Sequence, residues 1–238
     1  IKINKIPSSV KKIVIQCNKL ISLKDNNFDT VIIEEGEIEN QIINTRFLLC
    51  KKIDKIKENL SENLKSLVID NFDSDCIPSR KYYNITEMMI EIKTNLQKGI
   101  LETFLKKFPN LRYLIIKQDF NPYYLNYLPP KIEHIELDCV LSTFVSIPES
   151  LKELKINLFS SFSEYNLKNT NIKSIEMPLR STKYLPKELN TLDASFPSES
   201  VIKFHSIIKN LKIKTDNSKI IAPQGLENIE VKGKNNKL

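Results

Sequence analysis

The 238-residue chain is 41% apolar and 27% charged, with a formal net charge of +7. That balance sustains a folded core and excludes wholesale disorder. Four glycines are too few for glycine-rich loops that cradle phosphate, and no apolar run reaches the roughly 18 residues of a membrane-spanning helix.

A six-residue pattern, apolar-x-x-apolar-x-apolar, recurs in chain order. It starts at Val10 (VKKIVI) and Phe28 (FDTVII), then in degenerate form at Asn44 (NTRFLL). Lys51–Asn63 follows, with Ile53, Ile56 and Leu60 on one helical face, which predicts a short helix. The pattern resumes at Leu64 (LKSLVI) and Ile85 (ITEMMI). Asn95–Phe108 then places Leu96, Ile100, Leu101, Phe104, Leu105 and Phe108 at helical spacing, predicting a second helix in the longest interval. Further copies start at Leu111 (LRYLII), Ile132 (IEHIEL), Leu151 (LKELKI), Ile172 (IKSIEM), Leu189 (LNTLDA), Ile208 (IKNLKI) and Leu226 (LENIEV). The twelve starts are 16 to 26 residues apart. A fixed period of this kind is the mark of a solenoid, in which one coil cannot bury its apolar face but stacked coils can. The apolar-x-apolar end of each copy predicts a strand, and a proline three residues ahead of five copies (Pro7, Pro129, Pro148, Pro186, Pro223) marks the corner before it. Intervals this short leave mostly extended return segments.

The LxxLxL-like copies resemble the leucine-rich-repeat superfamily. The corners LPPKI, IPESL and LPKEL look like the short LPxxL repeats of bacterial leucine-rich-repeat effectors, and Phe120-Asn121-Pro122 followed by Leu128-Pro129 looks like an amoebal FNIP repeat. The resemblance implies a β-dominated repeat solenoid: a curved parallel sheet, mostly extended convex segments and about two short helices. It would form one array of about 12 coils over residues 1–238. The family's repeat-position-9 Asn is nearly absent, Asn18 being the one match, so the turns must satisfy their backbone polar groups otherwise. Ile1-Lys2-Ile3 reads as the end of a preceding coil, and the polar end GKNNKL has no capping helix, so the chain reads as a fragment of a longer protein.

Side chains alternate along a strand, so positions 3, 5 and 7 of each copy face outward on the concave sheet. Position 5 runs Val14, Ile32, Leu48, Val68, Met89, Ile115, then Glu136, Lys155, Glu176, Asp193, Lys212, Glu230. The first half is apolar and the second charged. Either a partner covers the apolar stripe, or the chain itself or a neighbouring domain does. Met89 and Ile115, flanked by Glu87, Glu91 and Tyr113, form its centre, with the aromatic-plus-aliphatic mix of a binding hot spot. Outward acids outnumber outward bases ten to seven, Arg46 counted among the bases, so the basic excess lies elsewhere. A nucleic-acid binder would show the reverse. The acids Glu136, Asp138 and Glu153 would suit a basic partner or a solvated face equally.

Catalytic signals are weak. His134 shares a strand face with Glu136 and Asp138, without a nucleophile placed by motif. Cys17, Cys50, Cys76 and Cys139 form no CxxC pair, so buried thiols in a reducing compartment are expected rather than zinc or disulfides. The sequons at Asn59 and Asn84 arise easily in an Asn-rich chain, and Tyr82-Tyr83 and Tyr123-Tyr124 read as convex-side packing. The expected function is a cytoplasmic protein-recognition scaffold without catalysis or cofactor. Its site residues are Val14, Ile32, Val68, Glu87, Met89, Glu91, Tyr113, Ile115, His134, Glu136 and Asp138. The alternatives are a substrate-selecting or regulatory arm of a larger enzyme and, more remotely, a nucleic-acid or membrane-surface binder using the basic convex side.

Overall fold

In a computed structural model of the chain the described residues are 6, 9–16, 27–35, 44–50, 60–93, 96, 99–118, 123–125, 127–138, 141–144, 147–157 and 167–238. The chain divides into two compact units, Ile1–Phe120 and Asn121–Leu238. Both are parallel β-solenoids with almost no helix.

The first unit stacks β1 (Lys12–Gln16), β2 (Asn27–Glu35), β3 (Asn44–Cys50), β4 (Ser66–Ile69), β5 (Glu87–Ile92) and β6 (Tyr113–Gln118). Each pairs in parallel with the next. The second unit contains β7 (Tyr123–Leu125), β8 (His134–Asp138), β9 (Leu141–Phe144), β10 (Glu153–Ile156), β11 (Ser174–Pro178), β12 (Glu188–Ser195), β13 (Val201–Lys203), β14 (Ile207–Lys214), β15 (Lys219–Ile221) and β16 (Asn228–Lys232). Its main sheet runs β8-β10-β11-β12-β14-β16, all parallel. On the return side β7 pairs with β9 and β13 with β15, also in parallel.

The period-2 pattern explains the core. Positions 4 and 6 point inward, and Leu67, Ile69, Met88, Ile90, Leu114, Ile116, Leu192 and Ala194 are all buried. Position 1 is buried too, in Leu64, Ile85, Leu111, Ile132, Leu151 and Ile172. A turn closes just ahead of it: the N–H of Ile132 donates to Pro129 O at 3.2 Å, and that of Leu151 to Pro148 O at 3.0 Å. Ser61 and Phe108 carbonyls serve Leu64 and Leu111 in the same way. Proline at that point supplies the acceptor and loses no needed donor. The Asn84 amide donates to Ser61 O at 3.0 Å and Leu64 O at 2.7 Å, so this sequon residue holds the preceding turn.

Three expectations are corrected or bounded. The third copy begins at Thr45, not Asn44: Val31 registers with Leu48 and Ile32 with Leu49. Leu48 is therefore an inward residue, 1% exposed, and Leu49 takes the outward position. Thr45 fills position 1, its hydroxyl donating to Phe47 O at 2.9 Å, and Arg46 is displaced from the outward row that Phe47 occupies. The helix expected over Asn95–Phe108 is only α1 (Ile100–Leu105). Gly99 sits at φ 87°, outside right-handed helical space, and i→i+3 bonds from Lys107 and Phe108 tighten the exit before Pro109. Leu101, Phe104 and Leu105 still pack inward, with Phe104 against Phe72 (4.7 Å between centroids) and Phe108 (4.8 Å). The helix expected over Lys51–Asn63 lies outside the described residues, apart from 60–63, which are not helical.

The turns of the last coils are satisfied by a polar ladder. Glu199, Asn217 and Asn235 recur every 18 residues in the left-handed region, at φ 61°, 50° and 55°. Asn235 Nδ2 donates to Asn217 Oδ1 at 3.1 Å. Ser218 N–H donates to Asn236 Oδ1 at 3.1 Å, and Lys234 N–H to Asp216 Oδ1 at 2.7 Å. Asn tolerates this backbone and has a side chain that bonds to its own kind, which accounts for its place there. Gly233 (φ 120°) lets the chain pass so close that a Cβ there would lie 1.7 Å from Thr215 O. Gly233→Ala is expected to break the 3.0 Å bond from Thr215 N to Lys232 O and open the last coil. Hydrogen exchange should show β16 amides losing protection while those of β10 and β11 keep theirs.

Candidate functional site

The outward positions of the first unit form a continuous surface. Strand register places Val14 beside Ile32, Ile32 beside Leu49, Leu49 beside Val68, Val68 beside Met89 and Met89 beside Ile115. Six apolar side chains thus make one stripe crossing six strands, about 24 Å long at the usual strand spacing. None of the six is fully buried: Val14 is 47% exposed, and the other five are half-buried among their neighbours on the face.

The rows on either side differ. Position 3 runs Lys12, Thr30, Phe47, Ser66, Glu87, Tyr113. Phe47 and Tyr113 (38% exposed) broaden the apolar surface toward that edge. The opposite row carries Glu34, which accepts a hydrogen bond from the Gln16 amide, then Asp70, Glu91 and Lys117. Lys93 reaches both Asp70 (3.5 Å) and Glu91 (3.6 Å). A side-chain hydrogen bond with Asp70, aided by partial burial and the like charge, raises Glu91 above the ordinary carboxylate value of 4.5, with Lys93 opposing.

A raised folded-state value means that the native state holds this proton to higher pH than the unfolded chain does. The contribution is intact below 4.5 and is lost as pH rises through the raised value. Glu91→Gln removes that loss. Thermal midpoints of both proteins between about pH 4 and 7 should show the wild type falling relative to the variant as pH rises. Parallel curves would contradict the shared-proton pair.

In the second unit the same outward position is a ladder of charges. Glu136, Lys155, Glu176, Asp193, Lys212 and Glu230 stand in register. Lys155 lies 3.5 Å from both Glu136 and Glu176, and Lys212 is 2.5 Å from Asp193. Burial lowers the pKa of Lys155, but the two glutamates outweigh it and the net shift is upward. For Lys212 the hydrogen bond to Asp193 raises it. Nearby pairs repeat the pattern: Lys152 with Glu133, Lys173 with Glu188, Lys209 with Glu227 and Lys232 with Glu230. The ladder is laced by ion pairs but keeps four acids against two lysines, and exposed pairs of this kind add little stability.

Val14, Ile32, Val68, Glu87, Met89, Glu91, Tyr113 and Ile115 all lie on the one face of the first unit. His134, Glu136 and Asp138 lie on β8 of the second. His134 does not use Glu136: its Nδ1 is 2.8 Å from Glu153 Oε2 on the adjacent strand. Glu136 instead meets Lys155 and, at 3.4 Å, Asn157. Among the described residues no three His, Cys, Asp or Glu side chains gather as a metal site. Cys50 and Cys76 are buried thiols, and burial, with Cys76 close by, pushes the Cys50 thiol far up and keeps it protonated. Cys17 and Cys139 lie outside the described residues. Tyr82 packs on Phe108 (6.0 Å between centroids), whereas Tyr83 is exposed. Phe47, Leu49 and Lys93 belong to the site but escaped the sequence reading. Starting the third copy at Thr45 would have revealed the first two, since it gives intervals of 17 and 19 instead of 16 and 20.

No family model matches the chain, nor does any curated protein or solved structure.

Proposed function

We propose that this chain is a non-catalytic protein-recognition module whose contact surface is the apolar stripe of the first unit. The observation that carries the reading is the unbroken register of six apolar side chains, none fully buried, on the outward sheet face. A stripe of that length on a water-exposed sheet is the kind of surface that a partner desolvates. Met89 lies between Val68 and Ile115, with Tyr113 and Glu87 beside it, so the centre has an aliphatic anchor, an aromatic and a polar rim. The side chains of this face stand on strands paired with their neighbours, so little ordering would oppose binding. Affinity to leucine-rich-repeat proteins rests on the repeat itself, and a cytoplasmic setting fits the buried thiols. The test is association of the wild-type chain with its protein partner, and its loss in a Met89→Asp/Ile115→Asp variant that still folds.

A further inference from the structure

The return side of the second unit carries a surface of another kind. On the β13–β15 ribbon, Ile202 and Ile220 are buried while their neighbours point out. Val201 stands beside Lys219, which bridges on to Lys237, and Lys203 stands beside Ile221. All five are exposed, Val201 at 71% and Ile221 at 41%. Among the described residues no carboxylate pairs with Lys203, Lys219 or Lys237. On the main sheet of the same unit Lys155, Lys212 and Lys232 are each paired, although among the described residues Lys214 is not. On the same coils Glu199 sits at the corner before β13, and Asp216 Oδ1 already accepts the Lys234 N–H. His205, just past Lys203, is exposed too.

We propose that this ribbon is a docking surface for an anionic lipid bilayer. Three unpaired lysines supply attraction to acidic headgroups, and Val201 and Ile221 supply branched aliphatic groups that enter the headgroup boundary. Nucleic acid fits less well, because the ribbon has no arginine and no Phe, Tyr or Trp exposed to stack a base, and exposed aliphatics gain nothing against phosphate. The surface is separate from the apolar stripe and does not depend on it.

The test is co-sedimentation of the 238-residue chain with phosphatidylcholine vesicles, with and without phosphatidylserine. Binding is expected only when phosphatidylserine is present, and it should weaken with salt. Lys203→Gln/Lys219→Gln/Lys237→Gln should reduce it about a hundredfold, at about fivefold per lysine. A control of equal net charge, Lys152→Gln/Lys173→Gln/Lys209→Gln, should bind like wild type. Val201→Ser/Ile221→Ser should weaken vesicle binding at unchanged salt dependence. All these side chains are exposed, and an unchanged thermal midpoint confirms that each variant folds. Absence of phosphatidylserine-dependent binding overturns the proposal. So does equal loss in both lysine variants, which would mean that net charge alone is read. Duplex DNA binding that shares the lysine dependence, with no effect of the serine variant on vesicles, would assign the ribbon to nucleic acid instead.

Discussion

Leu192→Ala is expected to destabilise the protein by about 2–5 kcal/mol, and Asp193→Ala, one residue on, by about 1 kcal/mol or less. Leu192 is fully buried on β12 between Ile175 and Leu211 on the adjacent strands. Removing its branched end leaves a cavity that two parallel neighbours, each fixed by its own ladder, are poorly placed to fill. Asp193 points the other way, toward Lys212, and its loss removes one exposed ion pair. Leu154 and Lys155 on β10 should repeat the contrast, Lys155 being slightly more sensitive because it serves two glutamates. Urea midpoints of the four variants measure this directly. Similar costs within either pair would contradict the alternation on which every facing assignment rests.

Why the fold was so readable follows from the same alternation. A parallel solenoid writes its core into sequence twice per strand, at positions 4 and 6, and once more at the buried turn position 1. Units such as LKSLVI and LRYLII carry all three signals and were placed correctly to the residue. NTRFLL carries a misleading one, because Thr45 supplies position 1 through a hydroxyl bonded to backbone and Cys50 supplies position 6. Neither fits an aliphatic template. The helix over Asn95–Phe108 was overestimated because its apolar spacing is genuine, yet Gly99 and Pro109 bound it more tightly than periodicity reveals. The ladder of Asn217 and Asn235 was invisible for a different reason: it sits at the tenth position of the repeat, where backbone handedness rather than side-chain pattern decides.

The candidate site was legible as a face and illegible as a set of contacts. Met89 and Ile115 follow from register alone. That His134 turns to Glu153 rather than Glu136, and that Lys93 clamps Asp70 and Glu91, depends on which strands become neighbours and how long side chains lean. Charge arithmetic on outward positions gives an acidic excess but not the ion pairs that Lys155 and Lys212 make along the second unit's ladder. Lys155 pairs with Glu136, whereas Glu153 meets the His134 ring, so a basic partner at Glu136, Asp138 and Glu153 remains an expectation beside the apolar stripe.

The stripe itself is tested most directly by the Met89→Asp/Ile115→Asp variant, read for stability and partner binding together. Both side chains are half-buried on the outward face of β5 and β6, outside the solenoid core, so carboxylates placed there can turn to water. The thermal midpoint should move by no more than about 2–4 °C, while association with the partner is lost, because a desolvated apolar centre does not accept two charges. A midpoint that collapses, with no binding defect separable from unfolding, would mean that the stripe is covered within the folded protein and is not an interface.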